Sequence, residues 1–473
     1  MLIPLDAVEG QGPYDCCVVG AGPAGIALSL DLAARGRRVL LCEGGGFDIE
    51  PEAQAMFRAE VIGDPYHDLS YFRTRAFGGT TAMWGGWCRP LDAIDFEPKP
   101  HHPLAHWPIR REDLDPFLPA ALKLVEVDAF PPDEPVGDSG LQRFEFRWSP
   151  PTRFGEAYRA AVVENPTIFL CLNANALRVA ADDRRVTGVV LADFGGRRAV
   201  AAAETYVVAA GGIENSRLLL WSNETSNGRV VKRADALGRY WMDHPTFTIG
   251  EFVAFRETDG VYFSLTPERQ RALGLLNCSL RFYRHPNAPL AEMLDDLGAV
   301  APELAAWARP LIGRDDVHGG HLQASWEQEP RAENRVALSD RDVDRFGAPL
   351  SVLRWTKSGE DLITMQRTAL IFCRHLAETN IGRVRLRDWA LGLADYPLND
   401  DLTGNHHMGG TRMADSPALG VVDANLKVHG QPNLYVAGSS TFPSGGYANP
   451  TVTILQLALR LAAHIDAGLP ARG

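Results

Sequence analysis

The period of the hydrophobic pattern changes along the chain, and each change marks an element. Cys16 to Val19 form a short unbroken apolar run, as in a strand buried on both faces. The run enters Gly20-Ala-Gly22-Pro-Ala-Gly25, a helical pattern follows to about Ala34, Gly36 stops it, and Val39 to Cys42 give a second buried strand. Strand, glycine pair and helix recur at Tyr206 to Ala209, Gly211-Gly212 and Glu214 to Trp221. Leu434 to Ala437 are a further buried strand, ending in Gly438 and Ser439. Val452 to Ile465 form a strongly apolar last helix, with Pro450 in its first turn and Asn449 at its N-cap.

Between these segments the pattern differs. From Thr167 alternating residues with Asp-Asp and Gly-Gly turns predict a β-meander. Residues 88–150 are proline-rich and irregular, with one helix near Asp113 to Val125. Residues 246–395 alternate five strand-like runs, among them NRVALS and LSVLRW, with helical stretches at about 289–312 and 359–378. They predict an antiparallel sheet with helices on one side. The 289–312 stretch suits core packing, with a lid or a subunit contact as the other use. The expected fold class is α/β: a Rossmann-like nucleotide-binding domain, with a parallel sheet and β-meander, plus an α+β substrate domain built on an antiparallel sheet. The first domain takes residues 1–87, 151–245 and 396–473; the second takes 88–150 and 246–395.

Spacing assigns chemistry to the opening unit. Of the glycines, one allows the tight turn, one lets a pyrophosphate reach the backbone, and one lets the helix lie close on the strand: Gly20, Gly22 and Gly25. Glu43, at the end of the second strand, is placed to bind an adenosine ribose hydroxyl. These residues predict a dinucleotide site without saying which dinucleotide. Two further Gly-Gly pairs frame the 77–86 loop, FGGTTAMWGG, so Gly78, Gly79, Thr80, Thr81, Met83, Trp84 and Gly85 are expected against a bound cofactor.

Composition narrows the partners. The chain has 473 residues, beyond the size of a single core, and a formal charge of −12 that argues against nucleic acid or an anionic membrane. Its start lacks a basic region followed by an apolar core, and no apolar run reaches the length of a membrane span, so a cytoplasmic location is expected. The seven cysteines form no CxxC pair and read as small apolar residues in a reduced compartment. His101, His102 and His106 lack an acid or cysteine at ligand spacing and read as a polar loop, with no metal. Gln323, Ser325 and Glu327 share one strand face by the period of two; this is either a row of hydroxyl-binding groups or a solvated face.

GAGPAG with Glu43, GGTTAMWGG, AAGGIENSRLLL, HHMGGTRM and the terminal SSTFPSGGYANPTVTILQLALRLA together resemble the glucose-methanol-choline (GMC) family of FAD-dependent oxidoreductases over nearly the whole chain. The branch it is most similar to holds pyranose oxidases and bacterial glycoside 3-oxidases. The resemblance implies oxidation of a sugar, glycoside or polyol, with transfer of a hydride to flavin N5 and with oxygen or another electron acceptor closing the cycle. His407, four residues before Thr411, matches the family's base, and Asn449 matches its second residue. The remaining cofactor contacts are expected at Ala210, Gly438, Ser439, Pro450 and Thr451, and hydroxyl contacts at Gln323 and Glu327. Two other readings are a non-sugar alcohol dehydrogenase and an inactive flavin-binding scaffold. A nicotinamide-dependent reductase would need a second GxGxxG, and none follows residue 25.

One departure makes a prediction. Fungal pyranose oxidases attach FAD through a histidine just before the tryptophan of this loop, and here that position is Met83. The FAD is therefore expected to be non-covalent. Acid denaturation should release all the yellow colour into the supernatant; colour left on the precipitated protein would contradict it.

Overall fold

The structure, a computed structural model, describes residues 1–255, 261–284, 290–308, 310, 318–397 and 404–470. Its organising layer is a parallel sheet of five strands in the order Leu434–Val436, Ala203–Val208, Tyr14–Val19, Val39–Cys42 and Ile168–Cys171. Both faces are covered, so the apolar runs carry no polar alternation. Helix Pro23–Ala34 packs against the last helix, Thr451–Gly468. The two are also tied by Arg37, whose Nε donates to Asp466 Oδ1 at 2.6 Å. The meander forms as expected, three antiparallel strands at Asn175–Ala181, Val186–Ala192 and Arg198–Ala201.

Close backbone approach explains the glycines of the first turn. A Cβ on Gly25 would sit 1.9 Å from the carbonyl oxygen of Gly20, and one on Gly20 (φ +106°) would sit 2.4 Å from that of Ala209. On Gly22 a Cβ would meet nothing within 4 Å, because that side opens into a cavity. The helix thus touches the strand at one glycine and leaves room for a ligand at the other.

The second layer is an antiparallel sheet of seven strands in the order Gly382–Leu386, Thr246–Ala254, His318–Trp326, Cys278–Arg284, Tyr262–Leu265, Leu141–Phe144 and Glu134–Pro135. Helix Gly359–Glu378 lays Met365, Ala369, Phe372 and Leu376 against it. The helix starts at a capping box in which Ser358 and Asp361 satisfy each other's backbone N–H.

Three features differ from the sequence expectation. Arg335–Val343 and Pro349–Trp355, which contain NRVALS and LSVLRW, lie outside the large sheet and form a small mixed sheet with Ala59–Gly63. The alternation of these strands specified a face to bury but not a partner; Val336, Leu353 and Trp355 bury theirs on Trp241 and Ile213. The proline-rich stretch divides: Cys88, Leu91, Phe96, Trp107 and Leu122 join the apolar core of the parallel sheet, whereas residues 134–144 extend the antiparallel one. The helical stretch expected at about 289–312 appears as Leu290–Val300 and Pro302–Ala308, broken at Pro302, and the rest of it falls largely outside the described residues.

Gly25→Ala should pull the helix off the strand and cost about 1–3 kcal/mol, the usual penalty of overpacking. The expected outcome is a lowered Tm and a protein purified without flavin. A variant with wild-type Tm and full flavin content would contradict the packing argument.

Candidate active site

One cavity of about 540 Å³ joins the two ends of the chain. Gly20, Gly22, Cys42 and Glu43 line it at one end and His406, His407, Asn449, Pro450 and Thr451 at the other. Ala210, Gly438 and Ser439 lie between, with Gly79, Thr80, Thr81, Met83, Trp84 and Gly85 from the glycine-rich loop. Gly78 is not among the lining residues; a Cβ there would meet the backbone of Gly155 at 2.2 Å, so its close approach is to protein. Gly79 presses on the dinucleotide turn itself, where a Cβ would lie 2.9 Å from Gly22 Cα. Glu43 is buried at the end of its strand, and its two carboxylate oxygens accept from the N–H groups of Ala21 (2.9 Å) and Gly45 (3.0 Å). Each oxygen keeps a lone pair for a further donor.

The far end is a histidine cluster. His407 is buried, its ring stands beside Tyr66 and Trp241, and its Nε2 has no hydrogen-bond partner among the described residues. Burial pushes the imidazole down to about 3, with the Arg73 guanidinium adding to the effect. The ring is therefore neutral at neutral pH. His406 is also driven well below its ordinary value, by burial first and then by His244 and His407. Its Nδ1 lies 2.9 Å from His244 Nδ1 and its Nε2 lies 3.2 Å from the side-chain nitrogen of Asn449.

This geometry departs from the sequence expectation at two places. Asn449 was expected to cap the last helix, but Pro450 occupies the N-cap and the Asn449 amide faces His406. Gln323 and Glu327, expected at the substrate, are not among the residues lining the cavity. Gln323 stands between Thr248 and Arg281 in the antiparallel sheet, while Ser325 Oγ accepts from the Thr246 hydroxyl at 2.9 Å. Glu327 lies just past the strand end, wholly buried, where Oε2 accepts the Asn277 N–H. There it neighbours Asp95, whose carboxyl is raised to about 8 by burial, then by Asp92 and Glu327. The period of two gave Gln323 and Glu327 a common face but could not say that the chain leaves the sheet between them.

Sequence reasoning missed a set of buried charges on the cavity wall. Arg73 Nη1 donates to Glu214 Oε1 (3.0 Å), and Arg217 donates to Glu214 Oε2 (3.2 Å) and Asp344 Oδ2 (2.6 Å). Arg75 Nη2 donates to Asn175 (2.8 Å) while its Nε is buried without a partner among the described residues. A readable signal was present: Arg73 and Arg75 immediately precede the glycine-rich loop, and Glu214 and Arg217 stand three apart in the first turn of their helix. His406, the neighbour of the expected base, was missed as a cavity residue because only His407 has the motif spacing to Thr411.

Residues 15–309 match the FAD dependent oxidoreductase family and residues 330–458 match the GMC oxidoreductase C-terminal family. The chain belongs to the FAD-dependent oxidoreductases and carries a GMC oxidoreductase C-terminal domain. Among its relatives, C-glycoside 3-oxidase of Microbacterium trichothecenolyticum is 30% identical over 317 residues, 64% of this chain and 54% of that one. Fructose dehydrogenase large subunit of Gluconobacter japonicus is 28% identical over 293 residues, 59% of this chain and 50% of that one. The chain thus spans about half the length of these two relatives. The crystal structure of pyridoxine 4-oxidase from Mesorbium loti superposes with a TM-score of 0.62 at 17% identity, covering 96% of this chain and 99% of that one, which shows a shared fold. FAD is the cofactor of this oxidoreductase. The residues fit it: Gly22 and Gly211 leave open space beside the cavity, and the cavity runs unbroken from the dinucleotide turn to an unpartnered imidazole nitrogen.

The buried histidines predict acid sensitivity. A folded-state pKa below the unfolded value means that the unfolded chain binds more protons, so stability is full above about pH 6.5 and falls as pH drops toward the folded values, about 4 for His244 and about 3 for His407. Each such group contributes a slope of about 1.4 kcal/mol per pH unit within its window. Thermal unfolding between pH 7 and pH 4 should show this slope, and His407→Asn should reduce it. An unchanged slope in that variant would contradict neutral burial of His407.

Proposed function

We propose that the protein oxidises a secondary alcohol of a sugar or glycoside to a ketone, with non-covalently bound FAD as the electron acceptor and His407 as general base. The observation that carries this reading is the buried, unpartnered His407 Nε2 in the same cavity as the Gly20–Glu43 unit. An imidazole kept neutral by burial retains a lone pair at neutral pH, and a lone pair without a protein partner is available to a ligand hydroxyl. The relatives named C-glycoside 3-oxidase and fructose dehydrogenase large subunit support a carbohydrate substrate. Their names also leave both oxygen and a different acceptor open for reoxidation.

In this reading Glu43 and the Gly20–Gly25 turn would hold the AMP half of the cofactor, and Gly79 to Gly85, Pro450 and Thr451 would hold its ring system. When bound, FAD supplies a two-electron acceptor at N5 for the hydrogen of the carbinol carbon. The substrate hydroxyl gives its proton to His407 Nε2 while the Asn449 amide holds the oxygen. The hydroxyl proton would stay on the histidine, and the acceptor that FAD would supply would take the carbinol hydrogen with its two electrons as the C=O bond forms. Hydroxyl recognition at Gln323 and Glu327 has no support in the cavity lining and falls instead to groups that face it.

The test is anaerobic mixing of the holoenzyme with free sugars, O- and C-glycosides, polyols and simple alcohols, followed by the variants on whichever substrate bleaches the flavin. His407→Ala should keep its FAD and slow flavin reduction by at least about 100-fold, the usual scale of general-base catalysis. Reduction at the wild-type rate would remove His407 from the role. A loss confined to His406→Ala would transfer the role to His406.

A further inference from the structure

We propose that His244 is a positioning residue which, through His406, decides which way the side-chain amide of Asn449 faces. The proposal rests on the reading of Asn449 as a substrate contact. It follows from a chain of contacts anchored on a group that can only accept. The carbonyl oxygen of Gly445 lies 3.2 Å from His244 Nε2. A carbonyl accepts and never donates, so Nε2 carries the His244 proton. Burial keeps the His244 and His406 rings neutral, so each holds one proton. His244 Nδ1 is therefore bare and accepts from His406 Nδ1–H across 2.9 Å. His406 Nε2 is bare in turn, and the Asn449 group 3.2 Å away must be the nitrogen end of its amide. Reversing the chain would set the His244 Nε2 lone pair against the Gly445 carbonyl.

The scaffold around the chain is built for this order. Asp243 is fully buried, and its Oδ1 accepts the backbone N–H of both His244 and His406 at 2.7 Å, which fixes the two rings from the main chain. Gly445 permits the anchor: a Cβ there would lie 2.9 Å from His244 Nε2 and 2.7 Å from Met408 Cε. One hydrogen of Asn449 Nδ2 is taken by His406. The other stays on the histidine side of the amide, able to donate to a hydroxyl oxygen that is losing its proton. An amide turned the other way would offer that oxygen a carbonyl and oppose the developing charge.

Two measurements test the proposal on the holoenzyme. In protein labelled with ¹⁵N-histidine, the ring spectrum should show His244 protonated at Nε2 and His406 at Nδ1; the reverse assignment overturns the relay. His244→Asn, whose Oδ1 takes the place of Nδ1 as acceptor, should keep the limiting rate of anaerobic flavin reduction within about threefold, whereas His244→Leu should lower it about tenfold. In an Asn449→Ala background His244→Leu should have no further effect. A full additional loss there would show that His244 acts by some other route and would overturn the proposal. If Asn449→Ala alone leaves reduction unchanged, the assignment of Asn449 to the substrate falls, and the ring spectrum still decides the relay on its own.

Discussion

The candidate active site depends on one strand pairing. Leu434–Val436 joins Ala203–Val208 in parallel register, Tyr206 opposite Leu434 and Val208 opposite Val436. That pairing returns the last segment of the chain to the sheet that carries the Gly20–Gly25 turn. From the strand end the backbone turns through Gly438 into Ser439, whose hydroxyl donates to the His407 carbonyl at 2.7 Å. Thr411 is bound there too, its N–H to Ser440 O at 3.0 Å. The helix that follows packs on Pro23–Ala34, so the cofactor turn and the histidine cluster share one rigid body although nearly the whole chain lies between them.

Electrostatics divide the cavity into two regions. Toward the middle, Arg73, Arg217, Glu214 and Asp344 are buried as fixed charges, each desolvated ion offset by an opposite one within hydrogen-bonding distance. At the far end burial works the other way, and His244, His406 and His407 are kept neutral. This contrast suits proton abstraction from a neutral alcohol: the base needs a lone pair at neutral pH, while a fixed framework of ion pairs holds the surrounding wall.

Much of the fold was legible in the sequence because local rules determined it. Continuous apolar runs gave the parallel strands, Pro23 and Gly36 bounded the first helix, and the spacing of Gly20, Gly22 and Gly25 follows from contacts within a few residues of each other. What local pattern could not show was partner choice. The strands at 335–343 and 349–355 look like any others, and only tertiary packing sends them to Ala59–Gly63. The site was legible in the same measure. Family motifs pointed to His407 and Asn449, and both line the cavity. The relation between them was not visible, because the ring that meets Asn449 is that of His406, and His406 is set by His244, more than 160 positions earlier. Glu327 was placed by strand periodicity one residue beyond the point where the strand ends.

The central claim is that motifs from both ends of the chain enclose one FAD whose reactive edge faces the histidine cluster. A crystal structure of the flavin-loaded protein tests it most directly. The account predicts the adenosine half at Glu43 and the Gly20–Gly25 turn, with the flavin N5 edge facing His407 and Asn449. A flavin ring placed away from these two residues, or an AMP half bound elsewhere than at Glu43, would contradict it.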